Sequence, residues 1–182
     1  MEACKPELIV LTGFGPFRQY LVNQSWEAVK GLKRMGLGAN IEIHIVEIPV
    51  CYSKAQQAIA EIWHNLKPKT GKNSGYKDRD VCGVCPADNC CIQGGAERLD
   101  SIIDMRSIAK CLKGLGLDVI YSRDAGRYLC DFVLYHSLHY GQRRAALIHV
   151  PACTCLVSPE KLVYQLQTII QVMLCQFDAQ SI

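Results

Sequence analysis

The sequence predicts an α/β domain whose parallel or mixed sheet is covered by helices on both faces. Short apolar segments alternate with amphipathic segments of helical period along most of the chain, and Gly or Pro ends nearly every one of them. The 182 residues are enough to bury one substantial core. Because a helical segment separates successive strand candidates, the strands need crossover connections, which are typical of parallel pairing.

The first half of the chain carries two predicted strand–helix pairs. A buried strand, ELIVLTGF, is followed by a helix over 23–38 for which Asn23 or Ser25 is the N-cap. The second strand, NIEIHIVEIPV, alternates isoleucine with polar residues and stops at Pro49. Residues 53–66 then show apolar positions at helical spacing, which predicts the second helix.

The second half predicts helices over 99–116, 127–141 and 158–177, with short strands at 117–122 and 145–152. Ser158 as N-cap and Pro159 in the first turn give the last helix the best-defined start. Residues 67–98 show neither period and are rich in cysteine and turn formers. We therefore expect a single domain over 1–182 with an irregular Cys-rich loop at 67–98.

Composition excludes several classes of protein. The 20 basic and 17 acidic residues form no basic arm or stripe, so we expect no nucleic-acid partner. The N-terminal residues do not have the pattern of a signal peptide, and the apolar runs are shorter than the ~20 residues that span a membrane. Eleven cysteines, an odd number placed mostly in apolar periodic segments, predict reduced thiols and a cytoplasmic location.

The turn GFGP follows the first strand but does not have the pattern of a dinucleotide-binding loop. Arg18 stands where the third glycine is needed, and Pro16 offers no backbone N–H to a phosphate. The turn instead places Phe14 and Phe17 at the carboxyl end of a strand, where α/β proteins bind ligands. The alternative is that both rings pack in the core.

The Cys-rich loop contains CGVC and, shortly after it, CC. The first pair has the spacing of a zinc-binding loop, but adjacent cysteines such as the second pair rarely bind one ion together. The favoured interpretation is a loop with free or partly oxidised thiols, and we expect no metal. The redox state of the four cysteines stays open: Cys82, Cys85, Cys90 and Cys91.

Cys130 and His149 are the candidate catalytic pair. Cys130 falls in the first turn of a predicted helix, whose dipole favours a thiolate, and Arg127 could add positive charge. His149 lies at the carboxyl end of a predicted strand, where a base could reach that thiolate. The alternative is a buried cysteine and a core histidine with satisfied hydrogen bonds.

Seven motifs in order resemble the pyroglutamyl-peptidase I family of cysteine peptidases: LTGFGPF, NQSWEAV, EIPV, SIIDM, GLGLDV, DAGRYLCDF and HVP. The resemblance covers nearly the whole chain apart from its middle. It implies a three-layer α/β/α sandwich with a mostly parallel sheet, no cofactor, and removal of pyroglutamate from the N-terminus of peptides. It also implies that Cys130 is the nucleophile and His149 the base.

The same resemblance assigns the substrate pocket. Phe14 and Phe17 would line a small pocket for the lactam ring, and Asn23 would support the site. His149 would take the proton of Cys130, and the thiolate would attack the amide carbonyl. Backbone N–H groups at the helix start would hold the oxyanion.

The middle of the chain departs from the family pattern. The family carries a glutamate that orients the histidine, on a segment that also supplies a central strand, whereas this chain has no glutamate between Glu61 and Glu97. We therefore expect that one central strand segment is missing and that activity is weak or absent. Glu97 and Asp100 are the candidates to replace the acid.

Two alternatives to a working peptidase follow from this departure. One is a catalytically silent homologue that binds pyroglutamyl peptides or a protein partner. The other is a chain that folds poorly. Neither the sequence nor the resemblance fixes the oligomeric state.

Overall fold

The computed structural model of the chain describes residues 7–63, 73–151 and 158–178. These residues form two strands, β1 (Glu7–Phe14) and β2 (Ile41–Ile48), and a short 3-10 helix at Ala87–Asn89. The α-helices are α1 (Gln24–Met35), α2 (Tyr52–Trp63), α3 (Met105–Gly114), α4 (Leu129–Tyr140) and α5 (Pro159–Asp178). The predicted helix end at 64–66, the first part of the Cys-rich loop and residue 152 lie outside the described residues.

The chain divides into two compact units. One combines the described residues of 1–48, 110–119 and 149–182, and the other those of 49–109 and 120–148. The first unit contains both strands with α1 and α5, and the second contains α2 and α4. The expectation of one domain over 1–182 stays a prediction.

In the first unit, β1 and β2 pair in parallel, with Glu7 opposite Ile41 and Phe14 opposite Ile48. Helix α1 connects the two strands and packs on both of them. The predicted α/β class with a parallel sheet is therefore confirmed, and the two strands agree with the predicted loss of a central strand segment.

Close packing fixes the position of α1. A Cβ atom on Gly13 would come within 2.6 Å of the Trp26 Cα, so only glycine lets β1 approach the start of this helix. At the other end, Gln167 of α5 donates a 2.7 Å hydrogen bond to the Gly36 carbonyl. This bond satisfies one of the carbonyl groups that the end of α1 leaves without a partner.

In the second unit, α2 packs against α4 around an aromatic cluster. The Phe132 ring centroid lies 4.8 Å from that of Tyr52 and 5.6 Å from that of Tyr76, both edge to face. Such geometry adds to the stabilisation that burial of the rings provides. Tyr76 comes from the predicted Cys-rich loop, so part of that loop belongs to the core of this unit.

Three sequence predictions about secondary structure are wrong. Neither 117–122 nor the described part of 145–152 forms a strand, and the Ile120 side chain is 88% exposed. A strand needs a neighbour for its backbone groups, and the segment expected to supply the central strand is absent from this sequence. Helix α3 begins at Met105 rather than at residue 99, because the Asp104 carboxylate accepts hydrogen bonds from the N–H groups of Arg106 and Ser107.

His136 is a buried titratable group in α4. It is fully buried, and neither ring nitrogen has a hydrogen-bond partner within the described ranges. Burial, with a smaller contribution from His139, lowers the pKa of His136 to about 4. The unfolded chain, with an ordinary histidine pKa, therefore binds a proton at a higher pH than the folded chain does.

We predict that the His136→Phe variant loses less stability in acid than the parent does. As pH falls below about 6.5 towards 4, proton binding to the unfolded state costs the parent up to about 3 kcal/mol through this residue. Phenylalanine keeps a ring of similar size and removes the titration. Urea unfolding at pH 7 and pH 5 measures the difference, with exposed His44→Gln as the control. Equal acid sensitivity in the parent and His136→Phe would contradict this assignment.

Candidate active site

Cys130 is the second residue of α4 and is partly buried, so its predicted place in a first helical turn is confirmed. Leu129, directly before Cys130, and Phe132, two residues after it, are buried and fix the start of the helix in the core. Tyr128 occupies the N-cap position, but its side chain makes no capping hydrogen bond. The N-cap side chain therefore does not occupy the first N–H groups of α4, which are the donors that an oxyanion site at this helix start would use.

The electrostatic environment of Cys130 differs from the sequence expectation. Burial, and then the charge of Asp131, raise the pKa of the Cys130 thiol above its ordinary value. The Arg127 Nη1 lies 2.9 Å from Asp124 and 3.6 Å from Asp131, so two carboxylates compensate its positive charge. The prediction that the helix dipole and Arg127 stabilise the thiolate stays a prediction, and burial and the charge of Asp131 act against it.

The carboxylate next to Cys130 is held by a tyrosine. Asp131 is buried, and the Tyr76 hydroxyl donates a 2.8 Å hydrogen bond to its Oδ2. Tyr76 is itself fully buried, and burial is the main reason why the pKa of its hydroxyl is raised. This bond joins the loop after residue 72 to the first turn of the helix that carries Cys130.

Asn73 organises the loop that delivers Tyr76. Its side chain is buried, accepts a 2.7 Å hydrogen bond from the Ile92 N–H and donates a 3.0 Å bond to the Gly95 carbonyl. Its backbone N–H donates to the Glu97 carbonyl, and its carbonyl accepts from the Cys91 N–H. These four hydrogen bonds tie Asn73 to residues 91–97 at the other end of the loop and give partners to polar backbone groups there.

In the first unit, Asn23 is the N-cap of α1, as predicted. Its Oδ1 accepts hydrogen bonds from the N–H and the hydroxyl of Ser25, and its Nδ2 donates a 3.0 Å bond to the Gly15 carbonyl. The Ser25 hydroxyl also accepts a hydrogen bond from the Phe14 N–H. These bonds fix the turn after β1, which carries Phe14 and Phe17, and both rings are partly buried.

The candidate site residues are distributed over the two units. Cys130 lies in the second unit, and Phe14, Phe17, Asn23 and His149 lie in the first. His149 is exposed and belongs to no strand. The pairing of Cys130 with His149 stays a prediction.

The two acids proposed as replacements lie on the second unit and are both exposed. Asp100 forms an ion pair with Arg98 at 2.8 Å. Glu97 lines a cavity of about 440 Å³ together with Ser74, Arg98 and Arg127. Arg127 also contacts Asp131, so this cavity lies beside the start of α4.

The cysteines that the sequence suggested as a zinc loop lie in different environments in the structure. Cys91 is buried, whereas the Cys85 thiol donates a 3.3 Å hydrogen bond to the Lys77 carbonyl. Among the described residues, the side chains with metal-ligating atoms that come together are Cys51, Asp80 and Cys82, with all three ligand atoms within 4.8 Å of one another.

Comparison with known proteins identifies the family of this chain. The family model for pyroglutamyl peptidase matches residues 7–77 and 76–175 of the chain. The chain belongs to the pyroglutamyl peptidase family. It is 42% identical to pyroglutamyl-peptidase 1 of Mus musculus, with 91% of this chain and 89% of the relative covered. It is 36% identical to the pyroglutamyl-peptidase 1-like protein of Homo sapiens, with 79% and 83% covered.

Solved structures show the same fold. Pyroglutamyl peptidase I of Bacillus amyloliquefaciens matches with a TM-score of 0.77 at 20% identity, covering 93% of this chain and 97% of that one. The pyrrolidone carboxyl peptidase of Fervidobacterium islandicum matches with a TM-score of 0.75 at 24% identity, covering 96% and 99%. The predicted α/β/α class is thereby confirmed. None of the helices that the structure describes is both long enough and apolar enough to cross a bilayer.

Sequence reasoning missed Tyr76, Asn73 and Asp131 as parts of the site. The available signals were an aromatic residue within a polar, glycine-rich stretch and an acid directly after the candidate nucleophile. Both are weak in sequence, because tyrosine and aspartate are usually exposed in loops and first helical turns. Their roles follow from burial, which only the structure shows.

We predict that Tyr76→Phe destabilises the protein by about 1–3 kcal/mol, because a buried carboxylate loses a hydrogen-bond donor. Urea unfolding measures the change at pH 7. The control is Tyr164→Phe, since Tyr164 is 62% exposed. If both variants are as stable as the parent, the bond between Tyr76 and Asp131 does not hold the start of α4.

Proposed function

We propose that the chain is a weakly active cysteine peptidase that removes pyroglutamate from the N-terminus of peptides. The observation that carries this proposal is the position of Cys130 in the first turn of α4, whose N-cap residue makes no side-chain capping bond, in a member of this family. The relatives with the highest identities given above are named for the same activity.

In the proposed mechanism, His149 accepts the proton of the Cys130 thiol, and the thiolate attacks the carbonyl carbon of the pyroglutamyl residue. The N–H groups at the start of α4 stabilise the tetrahedral oxyanion. His149 then protonates the departing amine, and water releases pyroglutamate from the thioester. This chemistry needs no cofactor and no metal.

The substrate class follows from the lactam ring, which is flat, neutral and without a free α-amine. Phe14 and Phe17 would form apolar walls for this ring, and Asn23 would hold their turn in place through its bond to the Gly15 carbonyl. A protonated N-terminal amine would lose its hydration between two such rings without gaining a partner. We therefore propose pyroglutamyl peptides as substrates and the cytoplasm as the location.

Two observations favour weak activity. The pKa of Cys130 is raised by burial and by Asp131, so little thiolate exists at neutral pH without a base. The sequence also has no glutamate between Glu61 and Glu97 to orient His149. In a Ser-His-Asp system, loss of the orienting acid costs about 10⁴ in turnover. A cysteine nucleophile depends on it less, because the thiolate forms more readily than an alkoxide.

The same observations favour a second candidate, a silent homologue that retains the pocket. If proton transfer from Cys130 fails altogether, the apolar pocket would still bind the lactam. Such a protein would be stabilised by a pyroglutamyl peptide without cleaving it.

We predict slow release of the fluorophore from a pyroglutamyl amide at pH 7.5, at least about 10²-fold below that of the mouse relative. The Cys130→Ala variant should fall to the rate without protein, because no nucleophile remains. Cys111→Ala is the matched control, since Cys111 is an exposed thiol on α3. Hydrolysis that persists in Cys130→Ala would rule out this nucleophile. No hydrolysis, together with a raised melting temperature in the presence of a pyroglutamyl peptide, would establish the silent homologue instead.

A further inference from the structure

We propose that Cys51 and Cys82 are a redox pair that forms an intramolecular disulfide when the protein meets a low-molecular-weight disulfide. Both cysteines lie in the second unit, and neither has a role in the proposed peptidase reaction. The inference is therefore independent of the proposed function.

The backbone holds the two cysteines side by side. The Val81 N–H donates a 3.2 Å hydrogen bond to the Val50 carbonyl, which brings together the residues that precede the two cysteines. The Tyr52 N–H donates a 2.8 Å bond to Asp80 Oδ2, on the other side of Cys51. The Sγ atoms of Cys51 and Cys82 lie within 4.8 Å of each other as a result.

Asp80 also shapes the turn that carries Cys82. Its Oδ1 accepts hydrogen bonds from the N–H groups of Cys82 at 2.8 Å and Val84 at 3.0 Å, and its own N–H donates to the Val84 carbonyl. Gly83 takes the positive φ of 76° that this tight turn requires. Disulfide formation requires the two sulfur atoms to approach each other, and both segments are already positioned for it.

The two thiols differ in exposure and in the direction of their pKa shifts, which gives them different roles in the exchange. Cys82 is exposed, whereas Cys51 is 5% exposed and directly precedes α2. Burial raises the pKa of Cys51, but hydrogen bonds from the Ser53 hydroxyl, the Lys54 N–H and the Cys82 thiol outweigh it and lower that pKa overall. The hydrogen bond to Cys51 raises the pKa of Cys82. Cys82 is thus the accessible thiol and Cys51 the better thiolate.

The reaction takes two exchange steps. Cys82 loses its proton and attacks a disulfide RSSR, which forms a Cys82–SR mixed disulfide and releases one RSH. The Cys51 thiolate then attacks the Cys82 sulfur, the S–SR bond breaks, and RS⁻ leaves and takes up a proton. The two cysteine thiols lose two electrons and two protons in total, and RSSR is reduced to two RSH.

A metal site is the competing use of the same three residues. Both Asp80 oxygens already accept backbone hydrogen bonds, from Tyr52 on Oδ2 and from Cys82 and Val84 on Oδ1. A metal ion would have to compete with these bonds, which shape the turn. The thiols, in contrast, can join without disturbing Asp80, so the geometry favours the disulfide.

The test is incubation of the full chain with oxidised glutathione, alkylation of the remaining thiols with N-ethylmaleimide, and peptide mass spectrometry. We expect a linked peptide that joins Cys51 to Cys82, two mass units lighter than the reduced pair, which dithiothreitol cleaves. In Cys51→Ser, the second step is blocked and Cys82 should keep one glutathione. The matched control Cys85→Ser should form the bridge as the parent does.

Two kinds of result would overturn the proposal. One is a bridge from Cys82 to Cys85 or to any other cysteine in the parent chain, or Cys51→Ser protein that carries no glutathione on Cys82. The other is one equivalent of zinc in the purified parent that is lost in both Cys51→Ser and Cys82→Ser, which would assign the residues to a metal site. Because the parent chain alone gives the decisive peptide, a variant that fails to fold does not remove the test.

Discussion

The hydrogen bond from Tyr76 to Asp131 is the interaction on which the candidate active site depends. A carboxylate is costly to bury, and this one is tolerated because the tyrosine hydroxyl, 2.8 Å away, and the Arg127 guanidinium compensate its charge. The bond connects a loop with almost no regular structure to the first turn of α4. Together with the burial of Leu129 and Phe132, it fixes the helix turn that carries Cys130.

The same carboxylate makes the nucleophile harder to ionise. Helix dipoles favour a thiolate by a modest amount, whereas burial and a neighbouring negative charge act directly on the sulfur. In this chain burial and the negative charge of Asp131 raise the pKa of the Cys130 thiol. Cys51, which directly precedes α2 and accepts several hydrogen bonds, has the lowered pKa instead. Position at a helix start is therefore not enough to identify the reactive cysteine.

Sequence patterns predicted the parts of the fold that local periodicity controls. The parallel pair of strands, the helices and the place of Cys130 in α4 were all evident from apolar spacing and cap residues such as Asn23. The strands at 117–122 and 145–152 were predicted wrongly, because an apolar run indicates burial but says nothing about whether a pairing partner exists. Tyr76, Asn73 and Asp80 were missed because their roles depend on contacts between distant segments.

The Cys-rich loop also shows that spacing along the sequence does not predict which distant residues meet in the fold. Spacing grouped Cys82 with Cys85, but the turn shaped by Asp80 brings Cys82 to Cys51, 31 positions earlier in the sequence. Membership of the pyroglutamyl peptidase family rests on a match over residues 7–175 rather than on one motif. In the same loop, Asn73 bonds to backbone groups of Cys91, Ile92, Gly95 and Glu97, contacts that sequence spacing does not predict either.

The most direct measurement is the rate at which iodoacetamide alkylates Cys130 as a function of pH, followed by peptide mass spectrometry. We predict a midpoint above the ordinary cysteine value of 9.0 in the parent chain, and a lower midpoint in Asp131→Asn, which keeps an acceptor for Tyr76 but removes the charge. A midpoint near pH 7 that is the same in both proteins would contradict the claim that burial and Asp131 hold Cys130 as a neutral thiol.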